Sequence, residues 1–160
     1  MLDLVEGSKI IQALAPTTAG TADDGDYISM ANAHAVWTIV SFNDGTSALV
    51  LTPKTASAYA GTGAAAVDGG CQIWYNVNTT QLDRMTKSAN TTAYEMPASA
   101  TLNSMAVIKY DPANAPSSHP YFAMTASTGG AAATGRLAMT YIVESRYPGY
   151  QQVISTTSST

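Results

Sequence analysis

The chain has 160 residues, 11 acidic against 7 basic, a formal net charge of −4, and only 11% charged residues where about a quarter is usual. Its length suits one domain with a single core. The lone Cys71 excludes an intrachain disulfide, no run approaches the ~18 apolar residues of a membrane span, and the scattered basic residues (Lys9, Lys54, Arg84, Lys87, Lys109, Arg136, Arg146) exclude the stripe that a nucleic-acid binder needs. So uncharged a surface resists aggregation weakly unless partners cover it, which points to assembly.

In chain order, residues 1–24 are expected to form an N-terminal arm. Leu2, Leu4, Val5, Ile10, Ile11 and Leu14 could line a helix, but Pro16, Thr17, Thr18 and Gly20 stop it. An arm or short strand that docks on a neighbouring subunit fits better. The opening MLDLVEGSKI has neither the basic nor the apolar region of a signal peptide, so secretion by that route is not expected.

The stretch that organises the chain is Gly25–Phe42, GDYISMANAHAVWTIVSF, rich in β-branched and aromatic residues and predicted as one strong strand. Turns bound it at Asp23-Asp24-Gly25 and Asn43-Asp44-Gly45. From Val36 the side chains divide by parity: Val36, Thr38, Val40 and Phe42 on one face, Trp37, Ile39 and Ser41 on the other. Neither face is fully polar, so something packs on each side, a core on one and a second sheet or a subunit on the other.

Ser47–Lys54 predicts the second arm of an NDG hairpin, with Pro53 at an edge or outside the ladder. The Ala, Gly, Thr and Ser link over 55–70 predicts a loop or a short extended piece, and Cys71–Val77 a strand. Short strands are expected at Leu82–Thr86, Tyr94–Met96 and Ala100–Leu102. Longer ones are expected at Ser104–Tyr110, Tyr121–Ala126 and Arg136–Arg146, with a Pro-rich loop from 112 to 120. The architecture is therefore all-β: a jelly-roll-like β-sandwich over 25–150, preceded by the arm and followed by a flexible Ser/Thr-rich tail at 151–160.

Catalytic candidates are few. His34 and His119 are the only histidines; HxH, HxxxH and CxxC pairs and the GxSxG elbow are absent. No enzyme activity, metal or cofactor is expected. Asp23, Asp24 and Asp26 around Gly25 could gather oxygens for calcium, against the plainer reading of a turn that caps the strand. Gly61, Gly63 and Ala66 satisfy GxGxxA, but Gly69 and Gly70 leave no room for the helix that fingerprint requires. The aromatics suit core and interface roles, and no set of them can be assigned to one exposed strand face as a sugar-binding module would need.

Four motifs, taken in order, resemble small capsid decoration (cement) proteins of tailed bacteriophages. They are Gly25-Asp26-Tyr27-Ile28-Ser29-Met30 before a hydrophobic strand, Gly61-Thr62-Gly63-Ala64, Tyr110-Asp111-Pro112, and a closing strand ending Ser145-Arg146-Tyr147. A lysine expected after Gly63-Ala64 is Ala65 here. The resemblance implies a homotrimeric virion protein, made in the bacterial host cytoplasm, that binds the major capsid protein on the outer capsid surface and cements neighbouring subunits. It also implies structural roles for Arg146 and Tyr147. The expected interface residues are Leu2, Leu4, Val5, Ile10, Ile11, Tyr27, Trp37, Arg146 and Tyr147. A head-tail connector or tail component is the first alternative, and a carbohydrate-binding or adhesive β-sandwich module the second.

Overall fold

The computed structural model describes residues 7–20, 22–128 and 135–146, without the side chains of 44, 45, 99 and 100. Two antiparallel sheets pack face to face. The larger runs β1 (Ser8–Thr18), β12 (Arg136–Ser145), β4 (Ala33–Gly45), β10 (Ser99–Tyr110), β7 (Gln72–Asn76), β8 (Thr86–Lys87). The smaller runs β2 (Asp23–Asp24), β11 (Tyr121–Ser127), β5 (Leu49–Ala56), β6 (Ala65–Ala66). In addition, β3 (Ile28–Ser29) pairs with β11, and β9 (Tyr94–Met96) pairs with β5.

The connections identify the topology. From β1 the chain crosses to β2 and β3, returns to β4, crosses to β5, passes to its neighbour β9, returns to β10, crosses to β11 and returns to β12. The resulting orders, β1-β12-β4-β10 facing β2/β3-β11-β5-β9, are those of a jelly roll, with β6, β7 and β8 inserted between β5 and β9. The expected all-β sandwich is the observed fold.

Inward-facing residues fill the space between the sheets. Val36, Val40 and Phe42 of β4 meet Leu137, Met139 and Tyr141 of β12 and Leu51, Phe122 and Met124 from the smaller sheet, all buried. Phe122 stacks on Tyr110 (5.1 Å, 18°) and meets Tyr141 edge-on (5.8 Å). Tyr141 also ties the two sheets together by a hydrogen bond: its hydroxyl, reaching from β12, accepts from the backbone N–H of Met124 on β11 at 2.8 Å. That donor is open because the paired stretch on β11's edge is interrupted between Asp24 and Ile28. Gly25 lies at the interruption, where a Cβ would sit 2.5 Å from the Tyr141 hydroxyl.

Several expectations need correcting. The arm assigned to 1–24 is, over Ser8–Thr18, an edge strand of the larger sheet. Its register shifts around Ala13 and between Leu14 and Thr17, which leaves Pro16 outside the paired positions. Asp23 and Asp24 are not a turn but β2, paired with Ala126 and Thr125. Gly25–Phe42 is not one strand: the chain turns at Ala31-Asn32, with Asn32 at φ 59°, and passes from β3 in one sheet to β4 in the other.

The NDG sequence makes no hairpin. β4 continues through Gly45, and both its edges are taken by β10 and β12 from far along the chain, so β5 must begin in the opposite sheet. Pro53 lies within β5 and inside the ladder. Its carbonyl accepts from Val67 at 3.1 Å, so its nitrogen faces the same side, into the gap between β9 (paired at 49–51) and β6 (paired at 54–55). The missing donor costs nothing there. The strand expected at Leu82–Thr86 is reduced to Thr86–Lys87, and Ala100–Leu102 merges with Ser104–Tyr110 into β10.

Candidate interaction face

The parity read from β4 holds in three dimensions: Val36, Thr38, Val40 and Phe42 are buried, while Trp37 and Ile39 are half-buried and Ser41 exposed on the outward face. The register carries this face across the larger sheet. One row runs Ile10, Ile142, Trp37, Lys109, Gln72; the next runs Gln12, Thr140, Ile39, Val107, Trp74, Lys87. A third sets Ala138, Ser41 and Met105 side by side. At its edge Ile10 is 52% exposed.

Trp37 and Trp74 form the centre. They stand on β4 and β7, with β10 between them, yet their rings meet over it at 5.8 Å and 27°. Lys109, directly opposite Trp37, holds its Nζ 5.0 Å from that ring's centroid, and Lys87, opposite Trp74, holds its own at 5.7 Å. Such contacts contribute on the order of 0.5–1 kcal/mol each at exposed sites. They also fix two positive charges beside the apolar Ile39, Val107 and Ile142.

The remaining expected residues are dispersed. Leu2, Leu4, Val5 and Tyr147 lie outside the described residues. Ile11 points inward and is buried in the core. Tyr27 is half-buried at the loop carrying Gly61, where a Cβ would come 2.8 Å from its ring; Gly61 itself has φ 78°. Burial, and then the nearby Asp24 charge, push the Tyr27 phenol above its ordinary value. Arg146 closes the end of β12: its Nε donates to the Ala33 carbonyl at 3.0 Å and its backbone N–H to Asn32 at 2.8 Å. Only Ile10 and Trp37, of the residues singled out, share the outward face of the larger sheet. Trp74, Ile39, Val107, Ile142, Lys87 and Lys109 were missed, although QIWYN carries the signal, since Gln72 and Trp74 share a parity opposite to buried Ile73.

The candidates for chemistry stay apart. Asp23 accepts from the Gly20 N–H (2.6 Å), and Asp24 accepts from the Thr125 hydroxyl (2.5 Å) with Lys54 Nζ at 3.9 Å. The calcium reading loses its premise, because these carboxylates serve different partners, and among the described residues no three His, Cys, Asp or Glu side chains are placed to hold a metal. His119 Nδ1 lies 3.4 Å from the Thr55 hydroxyl, and His34 is exposed on β4. Burial raises the Cys71 thiol to about 12, so it stays protonated and unreactive at neutral pH. No helix among the described residues is long and apolar enough to cross a membrane.

No protein-family model and no curated protein matches the chain. Among solved structures it is similar to the SPBc2 prophage-derived protein YomS, at 9% identity over 86% of this chain and 93% of that one, with a TM-score of 0.49. It is also similar to the STIV MCP (13% identity, 86% of this chain and 47% of that one, TM-score 0.31). A family two carbohydrate esterase from Cellvibrio japonicus follows (11%, 86% and 34%, 0.26). Identities this low and TM-scores below 0.5 carry no argument about function.

Proposed function

We propose that this chain is a structural virion protein that binds the outside of a phage capsid and stabilises contacts between major capsid subunits. The observation that carries the reading is the outward face of the larger sheet. A contiguous apolar surface built around Trp37 and Trp74, on a chain with so few charges, is what a protein needs if it works by burying area against a neighbour. The order of motifs from Gly25 to Arg146 and the jelly-roll topology support the same reading. The mechanism is mass action: a protein that binds the expanded lattice better than the unexpanded one stabilises it by that difference.

Light scattering and co-sedimentation test this. A homotrimer in solution that sediments with purified expanded capsids of its phage, at saturation over the whole shell, is the expected result. Binding confined to one vertex would move the chain to a head-tail connector, and no binding to either capsid form would overturn the reading.

The outward-facing tryptophans favour a second reading, a carbohydrate-binding module. Lys109 and Lys87 lie over those rings, however, where a sugar would stack, and the aliphatic Ile39, Val107 and Ile142 beside them suit a protein's apolar side chains. A protein surface is the better occupant.

A further inference from the structure

The charge carried by this face narrows what can cover it. Across the outward side of the larger sheet lie Lys87, Lys109 and, toward the far end of β12, Arg136; among the described strand residues the one acid on it is Glu144, opposite Ser8 at the other end. The chain as a whole is −4, whereas three basic and one acidic side chain lie on this face, so it is basic against the trend. Lys109 lies within the sheet on β10 and Lys87 on its edge strand β8, and each is held over a tryptophan ring.

Two copies packed with these faces together would set lysine against lysine around the Trp37–Trp74 pair, and like charges brought together as water is expelled oppose association. A neutral sugar's hydroxyls accept hydrogen bonds from the ammonium groups, but they bring neither carboxylate charge to Lys87 and Lys109 nor apolar side chains to Ile39, Val107 and Ile142. A partner whose apolar side chains are interspersed with carboxylates satisfies both halves of the face at once: it buries Ile39, Val107, Ile142 and the indoles, and pairs Lys87 and Lys109.

We propose that the outward face of the larger sheet is a docking surface for a protein segment of mixed apolar and acidic character, with Lys87 and Lys109 reading its carboxylates and Trp37 and Trp74 its apolar side chains. This deepens the proposed function by assigning the contact to one face and one partner chemistry.

The test can be run without a capsid, so that its failure is distinguishable from failure of the virion reading. Both tryptophans of the chain stand on this face, so intrinsic tryptophan fluorescence reports it alone. The probe is a random glutamate–leucine copolymer titrated into the full chain, with a lysine–leucine copolymer and a neutral glucan oligosaccharide as comparisons. The expected result is a saturable fluorescence change with the glutamate–leucine copolymer that weakens as salt is raised. It should also weaken by about tenfold in the Lys87→Glu/Lys109→Glu double variant, the size expected when two exposed ion pairs become repulsive. Circular dichroism establishes that this surface variant is folded.

Equal response to the lysine–leucine copolymer, or an unchanged affinity in the folded double variant, overturns the proposal. So does a fluorescence change with the oligosaccharide, which would make the face a sugar platform, or one that follows protein concentration alone, which would make the occupant a second copy.

Discussion

On the outward face of the larger sheet, Trp37, Ile39, Val107, Ile142 and Trp74 stand side by side, whereas on the smaller sheet the equivalent outward positions of β2, β5 and β11 hold Asp24, Thr52, Lys54 and Thr125. Both sheets turn the same kind of residue inward, so the core explains neither surface. The smaller sheet is finished within the chain: Thr125 donates to Asp24, Lys54 lies 3.9 Å from the same carboxylate, and Ala123 is fully buried. At the centre of the larger sheet's outward face the tryptophans lean on each other and on two lysines. A face that satisfies its polar groups by itself needs no partner; an apolar face with charges set over its rings gains from one.

The comparison breaks most completely if the shared core is removed, and pH does this without mutation. Burial, with the charges of Cys71, Asp111 and Asp68 adding to it, raises the Tyr110 phenol from 10.0 to about 12; burial, then Tyr75, raises Tyr94 to about 12; burial raises Tyr141 further. For such groups the fold holds the neutral form, so the stability they contribute is complete below pH 10 and is lost as the pH rises through 12. The urea midpoint should fall across that window, with tyrosinate absorbance appearing as the protein unfolds. Ionisation of all tyrosines near 10 with the fold intact would contradict it.

Among substitutions, Phe122→Ala should cost about 3–5 kcal/mol, since the ring is fully buried against Tyr110 and Tyr141 and supports both sheets. Gly25→Ala should cost about 1–3 kcal/mol, because its Cβ would press on the Tyr141 hydroxyl that holds β11's backbone. Urea denaturation measures both, and a neutral Gly25→Ala would mean that Tyr141 yields freely.

The two outward faces should then separate. Trp37→Ser or Trp74→Ser should reduce stability by about 1 kcal/mol, the scale of one aromatic pair, yet abolish capsid co-sedimentation. Lys54→Ala, at a half-exposed ion pair on the smaller sheet, should change stability by less than about 0.5 kcal/mol and leave binding intact. Equal loss of binding from both faces would erase the distinction between them.

Much of the fold was legible because it rests on local rules. The parity of AVWTIVSF divided β4 into the two faces that the structure keeps, and Asp111-Pro112 ended β10 where a missing donor and a turn-forming carboxylate would. The hairpin was misread by the same rules, since an NDG turn reports a reversal and not the sheet into which the chain returns. The candidate face was half legible. The parity of Trp37 placed it opposite the core, and the same test applied to Gln72-Ile73-Trp74 would have found its partner.

By itself, then, the sequence determined most of the strands and the two-faced parity of β4, because side-chain period and composition act within a few residues. Tertiary structure decided which strands are neighbours. Trp37 and Trp74 stand on strands separated in the chain and in the sheet, and they meet only because β10 pairs with both β4 and β7. Lys87 and Lys109 reach their rings by the same cross-strand register. Long-range pairing is set by the joint packing of two sheets around one core, and no local stretch encodes it.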